Sequence, residues 1–232
     1  MTTLSLAAVL AESARRFPDK VAVIDRADRI TYGDLWRQAL AYAGHLRELG
    51  VAPGDTVALL APNVADFPRA YFGILAVGAT VVPVHLLLTA PEMAYVLRDS
   101  GASLLVCDAS QLAVGAAAAA EAGIRVVGIG DRSGGDSNAL QLDAAGGAPL
   151  GSYASRRPDD IAVVFYTSGT TGQPKGAELS HLNLVMNATV NVFDANESRR
   201  DDVALGCLPL FHIFGQSVSM NGTFRLGATL VL

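Results

Sequence analysis

Charged residues are scarce in this sequence, and the basic ones are scattered. Lys, Arg, Asp and Glu make up 17% of the 232 residues, the formal net charge is −5, and basic residues never occur in runs longer than two, as in Arg15-Arg16. A general nucleic-acid-binding surface needs clustered positive charge. The composition therefore argues against a nucleic-acid partner.

Long apolar runs and closely spaced cysteines are missing as well. No apolar run reaches the ~20 residues that a transmembrane helix needs. The apolar start, residues 4–10, has no basic residue before it, which favours an amphipathic first helix over a signal peptide. The two cysteines, Cys107 and Cys207, lie far apart in apolar runs. We expect both to be buried reduced thiols of a cytoplasmic protein, without a disulfide or a metal site.

Two kinds of apolar segment alternate along the chain. Hydrophobic residues make up 51% of the sequence, which is ample for a core. Short runs at 56–60 and 104–107 are typical of buried strands, whereas residues 32–49 carry apolar side chains three and four positions apart, as an amphipathic helix does. This alternation predicts an α/β fold with mostly parallel sheets flanked by helices.

Several helix starts have recognisable capping residues. Thr31 followed by Asp34 is expected to cap one helix, and Asn63 the next. Thr89 and Glu92 have the spacing of a capping box, in which each side chain bonds a backbone N–H of the other residue. These signals predict where three of the helices begin.

The composition changes between residues 131 and 160. This segment is rich in Gly, Ser, Asp and Ala and has no sustained periodicity, so we interpret it as a linker or mobile insertion. We therefore expect two α/β units, a first one over residues 1–130 and the start of a second one over residues 161–232. The sequence ends inside an apolar strand at Leu232.

The most informative stretch is Tyr-Thr-Ser-Gly-Thr-Thr-Gly-Gln-Pro-Lys-Gly at residues 166–176. It follows an apolar run, residues 161–165, that is typical of a buried strand. Small side chains let backbone N–H groups approach an anion, the hydroxyls add donors, and Lys175 adds positive charge. The stretch therefore suits a polyphosphate.

Two other nucleotide motifs do not fit this stretch. A Walker loop needs Gly-Lys-Ser/Thr, but Lys175 lies between Pro174 and Gly176. The glycine spacing also differs from that of a dinucleotide fingerprint. On residue types alone, a surface turn without a ligand stays an alternative.

The stretch resembles the phosphate-loop signature of the adenylate-forming superfamily, which includes acyl-CoA synthetases, luciferases and the adenylation domains of peptide synthetases. Further segments resemble motifs of the same family, and the resemblance covers nearly the whole chain. In the last of them, Phe-His precedes Ile-Phe-Gly, as in fatty acyl-CoA ligases. These segments are residues 30–35, 50–60, 73–83 and 208–215.

The resemblance implies ATP-dependent activation of a carboxylic acid, of the medium- or long-chain fatty class, to an acyl adenylate and then to acyl-CoA. ATP, Mg²⁺ and CoA would be the cofactor and cosubstrates. The alternatives are an aryl-CoA ligase, a fatty acyl-AMP ligase or another adenylation domain. An alternative of a different class is a non-catalytic module that binds nucleotide or an acyl chain.

The resemblance also implies roles for individual residues. His212 and Lys175 would be catalytic, and Thr167 would also help to hold Mg²⁺. Apolar neighbours of His212 would border the acyl pocket. The phosphate-loop residues are Thr167, Ser168, Gly169, Thr170, Thr171, Gly172 and Lys175, and the pocket residues are Phe211, Phe214, Gly215 and Gln216.

A lone histidine in an apolar run is more often a core residue than a catalyst. The resemblance alone places His212 at the junction between acyl carboxylate and adenylate. His45, His85 and His181 have no evident partners and are assigned no role.

The resemblance further implies that adenine, ribose and CoA contacts and a small C-terminal domain follow Leu232. We therefore expect an N-terminal portion of a longer ligase that does not turn over alone.

Overall fold

The computed structural model describes residues 3–130, 148–167 and 173–232, together with the backbone of residues 140–141. Helices and strands alternate along most of this part of the chain. Its helices are α1 (Ala8–Arg16), α2 (Tyr32–Glu48), α3 (Asp66–Val77), α4 (Ala90–Asp99), α5 (Leu112–Ala122), α6 (His181–Val190) and α7 (Gly222–Leu226). A 3₁₀ turn spans Ala109–Gln111, and π-helical segments span Asn191–Ala195 and Gly215–Asn221.

The strands form two sheets. They are β1 (Val21–Asp25), β2 (Asp28–Thr31), β3 (Thr56–Leu60), β4 (Thr80–Pro83), β5 (Leu104–Asp108), β6 (Arg125–Ile129), β7 (Leu140–Gln141), β8 (Ile161–Thr167), β9 (Lys175–Ser180), β10 (Val203–Leu205) and β11 (Thr229–Val231). The larger sheet has the order β7-β6-β5-β3-β4-β8-β9 and the smaller one β10-β11-β1-β2.

Most strand pairs are parallel. The larger sheet is parallel from β7 to β8, and only β9 runs antiparallel to its neighbour. In the smaller sheet only β2 is antiparallel. The predicted α/β fold with mostly parallel sheets flanked by helices is confirmed.

Each sheet combines strands from both sides of residues 131–160, because β8 pairs with β4 and β11 pairs with β1. The division of the chain into two units at this segment stays a prediction, and residues 131–139 and 142–147 of the predicted linker lie outside the described residues.

Two of the three predicted helix starts are confirmed. The Thr31 side chain accepts a hydrogen bond from the Asp34 N–H at 3.1 Å at the start of α2. Thr89 and Glu92 form the capping box of α4. The predicted cap at Asn63 is wrong, because α3 begins at Asp66 and the Asn63 side chain bonds a distant loop instead.

The main core lies between the two sheets and the helices that cover them. Tyr71 and Phe72 of α3 pack against one another at 5.1 Å between ring centroids, and Phe72 packs on Phe224 of α7 at 5.8 Å. Helices α2 and α3 approach closely at Gly73, where a Cβ would lie 2.9 Å from Tyr42 Cβ. Because all of these aromatic side chains are buried, the N-terminal helices and the segment after residue 221 share one apolar interior.

The cysteines differ in their surroundings. Cys107 is fully buried in β5, and burial raises the pKa of its thiol to about 12. Cys207 is exposed, so its predicted burial is wrong. The physical reason is that Cys207 follows β10, the edge strand of the smaller sheet, where Val203 and Leu205 are also exposed. Within the described residues, no helix has the length and apolar character needed to cross a membrane.

Candidate functional site

The ends of the predicted phosphate loop are opposite each other on a β-hairpin. Strands β8 and β9 pair antiparallel, and Thr167 is the register partner of Lys175. Opposed residues in such a ladder have Cα atoms about 5 Å apart. The hairpin thus brings the predicted phosphate and metal ligand Thr167 to the predicted catalytic ammonium of Lys175. Residues Ser168, Gly169, Thr170, Thr171 and Gly172 lie outside the described residues, and their roles stay predictions.

A cavity of about 580 Å³ lies beside this hairpin. Its wall combines the end of β4, the first turns of α4, the end of β8 and residues 211–213. Parallel strands β4 and β8 both point their carboxyl ends toward it, and ligands of open α/β sheets bind at that edge. The volume falls within the range of small-molecule sites. The cavity brings together three of the predicted site residues, Thr167, Phe211 and His212.

His212 is an exposed residue of the cavity wall and is not part of the core. Its Nδ1 accepts a hydrogen bond from the Phe214 N–H at 3.3 Å. In a neutral ring with this arrangement the proton is on Nε2. Nε2–H is therefore the donor that His212 can offer to a ligand.

The loop that carries His212 is held by Asn63, which precedes α3. Asn63 Nδ2 donates hydrogen bonds to the backbone oxygens of Gly206 and Leu208, both at 2.8 Å. Its Oδ1 accepts a hydrogen bond from the Leu210 N–H at 2.9 Å. One side chain thus fixes three backbone groups of residues 206–210. The sequence interpretation missed this role, since asparagine before a helix is also typical of a cap.

The π-helical segment after His212 packs against the same loop. A Cβ on Gly215 would lie 2.2 Å from the Pro209 carbonyl oxygen, so only glycine allows this approach. The buried Gln216 side chain donates a hydrogen bond from Nε2 to the Leu210 oxygen at 3.2 Å. Gln216 Oε1 is buried and has no hydrogen-bond partner among the described residues. π-Helical turns are frequent at functional sites.

The predicted pocket residues fall into two groups. Phe211 lines the 580 Å³ cavity, whereas Phe214 is 55% exposed and lines a second cavity of about 310 Å³ next to α6. Gly215 and Gln216 are buried behind these walls and line neither cavity. Both residues support the cavity walls from behind. Their assignment to the acyl pocket stays a prediction.

His85 is a second histidine of the larger cavity that the sequence interpretation missed. Its ring packs edge-on against Phe211, with centroids 4.7 Å apart and planes at 64°. Its Nδ1 accepts a hydrogen bond from the Leu87 N–H at 3.1 Å. No local sequence signal links His85 to residue 211, so only the tertiary structure could show this pair.

The other two histidines also have partners, contrary to the sequence interpretation. His181 is buried, and its Nδ1 accepts a hydrogen bond from the Leu6 N–H at 2.9 Å. Burial lowers the pKa of His181 to about 4, with Arg156 adding to the effect and Asp160 opposing it. His45 Nδ1 lies 3.7 Å from a carboxylate oxygen of Glu48. Neither histidine lines the cavity.

Metal binding has little support from side chains alone. In the part of the chain that the structure describes, no group of three or more His, Cys, Asp or Glu residues could hold an ion. The Thr167 hydroxyl is the one predicted metal ligand that the cavity contains. A magnesium ion with few protein ligands would have to be held mostly by phosphate oxygens and water, which is usual for this ion.

The names of known proteins that are similar to this chain refer to different acids. Feruloyl-CoA synthase of Amycolatopsis is 36% identical over 219 residues, covering 94% of this chain and 42% of that protein. Long-chain-fatty-acid–CoA ligase of Bacillus subtilis is 30% identical over 259 residues, covering 98% of this chain and 46% of that protein. The chain spans less than half the length of the curated relatives it matches.

Solved structures show the same fold. The anthranilate CoA ligase AuaEII in complex with anthranoyl-AMP superposes with a TM-score of 0.91 and 26% identity, over 99% of this chain and 45% of that one. The inhibitor-bound N-terminal domain of FACL13 from Mycobacterium tuberculosis gives a TM-score of 0.83 and 28% identity, over 99% and 57%. The profile described as "AMP-binding enzyme" matches residues 10–232. This match confirms the resemblance seen in the loop sequence, and the chain belongs to the AMP-binding enzyme family.

Proposed function

We propose that the protein containing this chain activates a carboxylic acid with ATP and transfers the acyl group to CoA. The observation that carries the proposal is the Thr167–Lys175 pair at the mouth of the β8–β9 hairpin, beside a cavity that also contains His212. The Thr167 hydroxyl and the His212 imidazole line this cavity at the carboxyl ends of parallel strands, and the Lys175 ammonium group belongs to the residue opposite Thr167. The family membership supports the same chemistry.

The reaction has two displacements. A carboxylate oxygen forms a bond to the α-phosphorus of ATP, the bond from that phosphorus to the bridging oxygen breaks, and pyrophosphate leaves with the electron pair. The CoA thiol then attacks the acyl carbonyl, AMP leaves, and the thiol proton passes to the medium. Both steps bring anions together, so positioning and charge stabilisation are what the protein must supply.

The described residues can supply both. The Lys175 ammonium stabilises negative charge on the departing pyrophosphate, and the Thr167 hydroxyl contacts the phosphates. A magnesium ion bound at Thr167 would neutralise further phosphate charge. His212 keeps Nδ1 bonded to the Phe214 N–H, so its Nε2–H can orient a carboxylate oxygen.

The acid is proposed to be a medium- or long-chain fatty acid. Apolar side chains that include Leu184 and Phe214 line the 310 Å³ cavity, and they suit a hydrocarbon. An aromatic acid is the alternative, and the name of the feruloyl-CoA synthase relative supports it. The two readings differ in the acid and share the adenylation chemistry.

The test is acid-dependent exchange of pyrophosphate into ATP by the full-length protein. A panel of fatty and aryl acids should give exchange with at least one class. Lys175→Ala should reduce the exchange rate about 10²-fold, because it removes a charge aimed at the leaving group. Lys175→Arg retains the charge and serves as the matched control. Calorimetric binding of ATP without any exchange would instead identify a non-catalytic binding module.

A further inference from the structure

Helix α4 contacts the hairpin on both sides of the predicted phosphate loop, at Tyr166 in β8 and at Pro174 just before β9. The Tyr166 hydroxyl, at the end of β8, donates a 2.6 Å hydrogen bond to Asp99 Oδ2 in the last turn of α4. The Tyr95 hydroxyl, one helical turn earlier, donates a 3.3 Å hydrogen bond to the Pro174 carbonyl oxygen. The first contact holds the strand that enters the loop, and the second holds the strand that leaves it.

Each contact is one residue away from a predicted phosphate ligand. Tyr166 precedes Thr167, and Pro174 precedes Lys175. Adjacent strand residues point to opposite faces of a sheet. Tyr166 can therefore bond α4 without occupying the face on which Thr167 and Lys175 lie, although α4 and Thr167 line the same cavity.

Gly176 makes room for this arrangement. It is the register partner of Tyr166, and a Cβ there would lie 2.9 Å from Val164 Cγ1 and 3.3 Å from Tyr166 Cζ. The Tyr166 ring thus crosses β9 at the glycine. A side chain at position 176 would displace the ring and lengthen its bond to Asp99.

Helix α4 is itself firmly placed. Its capping box fixes the first turn, and Met93, Ala94, Val96 and Leu97 are buried in an apolar cluster with residues of β3, β5 and α5. At the other end, Arg98 Nη1 donates to the Glu121 carbonyl oxygen of α5 at 3.2 Å. A fixed helix that bonds β8 and the residue before β9 can set the position of the hairpin.

We propose that α4 is a brace for the phosphate-binding hairpin, and that Tyr95, Asp99 and Tyr166 are positioning residues for nucleotide binding. This inference rests on the proposed function, because it assigns these residues to the site where ATP would bind. They act through Thr167 and Lys175, which would contact the phosphates.

Asp99 gives a way to separate this role from helix stability. A carboxylate in the last turn of a helix is repelled by the helix dipole, and alanine has the higher helix propensity. Asp99→Ala should therefore favour α4 as a helix while it removes the acceptor for Tyr166. A role of Asp99 only in the stability of the α4 helix predicts an unchanged or improved protein, whereas the brace predicts weaker ATP binding.

The experiment compares Tyr166→Phe, Asp99→Ala, Tyr95→Phe and the Tyr166→Phe/Asp99→Ala double variant of the full-length protein. Tyr153→Phe is the matched control, because Tyr153 packs on Trp36 of α2 and not on the hairpin. The KM for ATP should rise about three- to tenfold, as expected for loss of one hydrogen bond of ordinary strength. The KM for the acid should stay within about twofold, which is below the effect of such a bond.

Two further readouts complete the test. The double variant should be no worse than the more affected single variant, since both changes remove the same bond. Amide hydrogen exchange should become faster in β8 and β9 and stay unchanged in β5. These amides report on the brace even in a protein without adenylation activity.

The outcomes separate the brace from the function. An inactive wild-type protein whose variants show faster exchange in β8 and β9 would overturn the adenylation proposal and support the brace. Unchanged ATP KM and unchanged β8 and β9 exchange in all variants would overturn the brace in an active enzyme. A parallel rise of the KM for ATP and the KM for the acid, together with a lower melting temperature, would also overturn the brace, because that pattern indicates general destabilisation.

Discussion

Asn63 Oδ1 accepts a 2.9 Å hydrogen bond from the Leu210 N–H and so joins the segment before α3 to the loop before His212. The same amide donates to two further carbonyl oxygens of this loop. These are backbone groups of residues 206, 208 and 210, just before His212, so their positions decide where the His212 ring lies. The relationship makes Asn63 a supporting residue for a cavity that it does not line.

Replacing Asn63 should therefore harm both stability and activity. Asn63→Ala leaves two carbonyl oxygens and one N–H without their partner, and we expect a loss of about 1–3 kcal/mol in the free energy of unfolding. Exchange of pyrophosphate should fall more than the unfolded fraction explains. Denaturant unfolding and the exchange assay measure the two effects.

The control for Asn63 is Asn196→Ala. Asn196 is an exposed asparagine that bonds only Asn191 nearby. Asn196→Ala should change neither the free energy of unfolding nor the rate of pyrophosphate exchange appreciably. Equal effects of the two substitutions would contradict a specific role of Asn63.

Asn63 also marks the limit of what local sequence patterns reveal. Thr31 and Thr89 were correctly predicted as caps because a cap involves residues three positions apart. Asn63 is also a residue of a type that caps helices and also lies shortly before a helix, yet its partners lie more than 140 positions away. Only the tertiary structure shows whether the side chain of such an asparagine caps the following helix or binds a distant loop.

The sequence likewise predicts only one of the two strands of the hairpin. The apolar pattern of β8 predicted a strand, but β9 is polar and mostly exposed, so it has no strand signal. As a result the sequence predicted the loop but not the register that places Thr167 opposite Lys175. The parallel sheet was predictable because its buried strands are continuous apolar runs.

Gly215 should be essential for packing of the π-helical segment on the loop. Gly215→Ala would place a Cβ 2.2 Å from the Pro209 oxygen, which is a backbone atom that cannot move aside alone. We expect destabilisation of about 1–3 kcal/mol, as for overpacking. Gly151→Ala is the control, because a Cβ there has no atom within 4 Å. Chemical denaturation measures the midpoints of unfolding of both variants. Equal midpoints would contradict the expected destabilisation by Gly215→Ala.

His181 should make the stability depend on pH. Its pKa is lowered to about 4 in the folded protein, mainly by burial, against an ordinary 6.5. The folded state therefore resists protonation more than the unfolded state does. The stabilising contribution is fully present above pH 6.5 and is lost as the pH falls toward 4, by up to about 3 kcal/mol.

The pH dependence can be assigned to His181 by substitution. His181→Asn keeps an oxygen that can accept from the Leu6 N–H but cannot be protonated in this range. Its free energy of unfolding, measured between pH 4 and 7.5, should have a smaller slope than that of the parent protein. An equal slope in His181→Asn would exclude His181 as the source.

The edge-on contact between His85 and Phe211 should influence which acids are accepted, because Phe211 lines the larger cavity, where the carboxylate end of the acid would lie beside His212. An aromatic pair of this kind contributes about 0.5–1.5 kcal/mol beyond its buried area. His85→Ala removes that contact and frees Phe211, so the cavity wall recedes. We expect bulkier acids to gain relative to smaller ones in pyrophosphate exchange, by a factor of about two to ten. His85→Phe restores a ring at this position and should return the ratio toward that of the parent. If the ratio were the same in all three proteins, Phe211 would be held by the loop alone and His85 would have no part in acid selection.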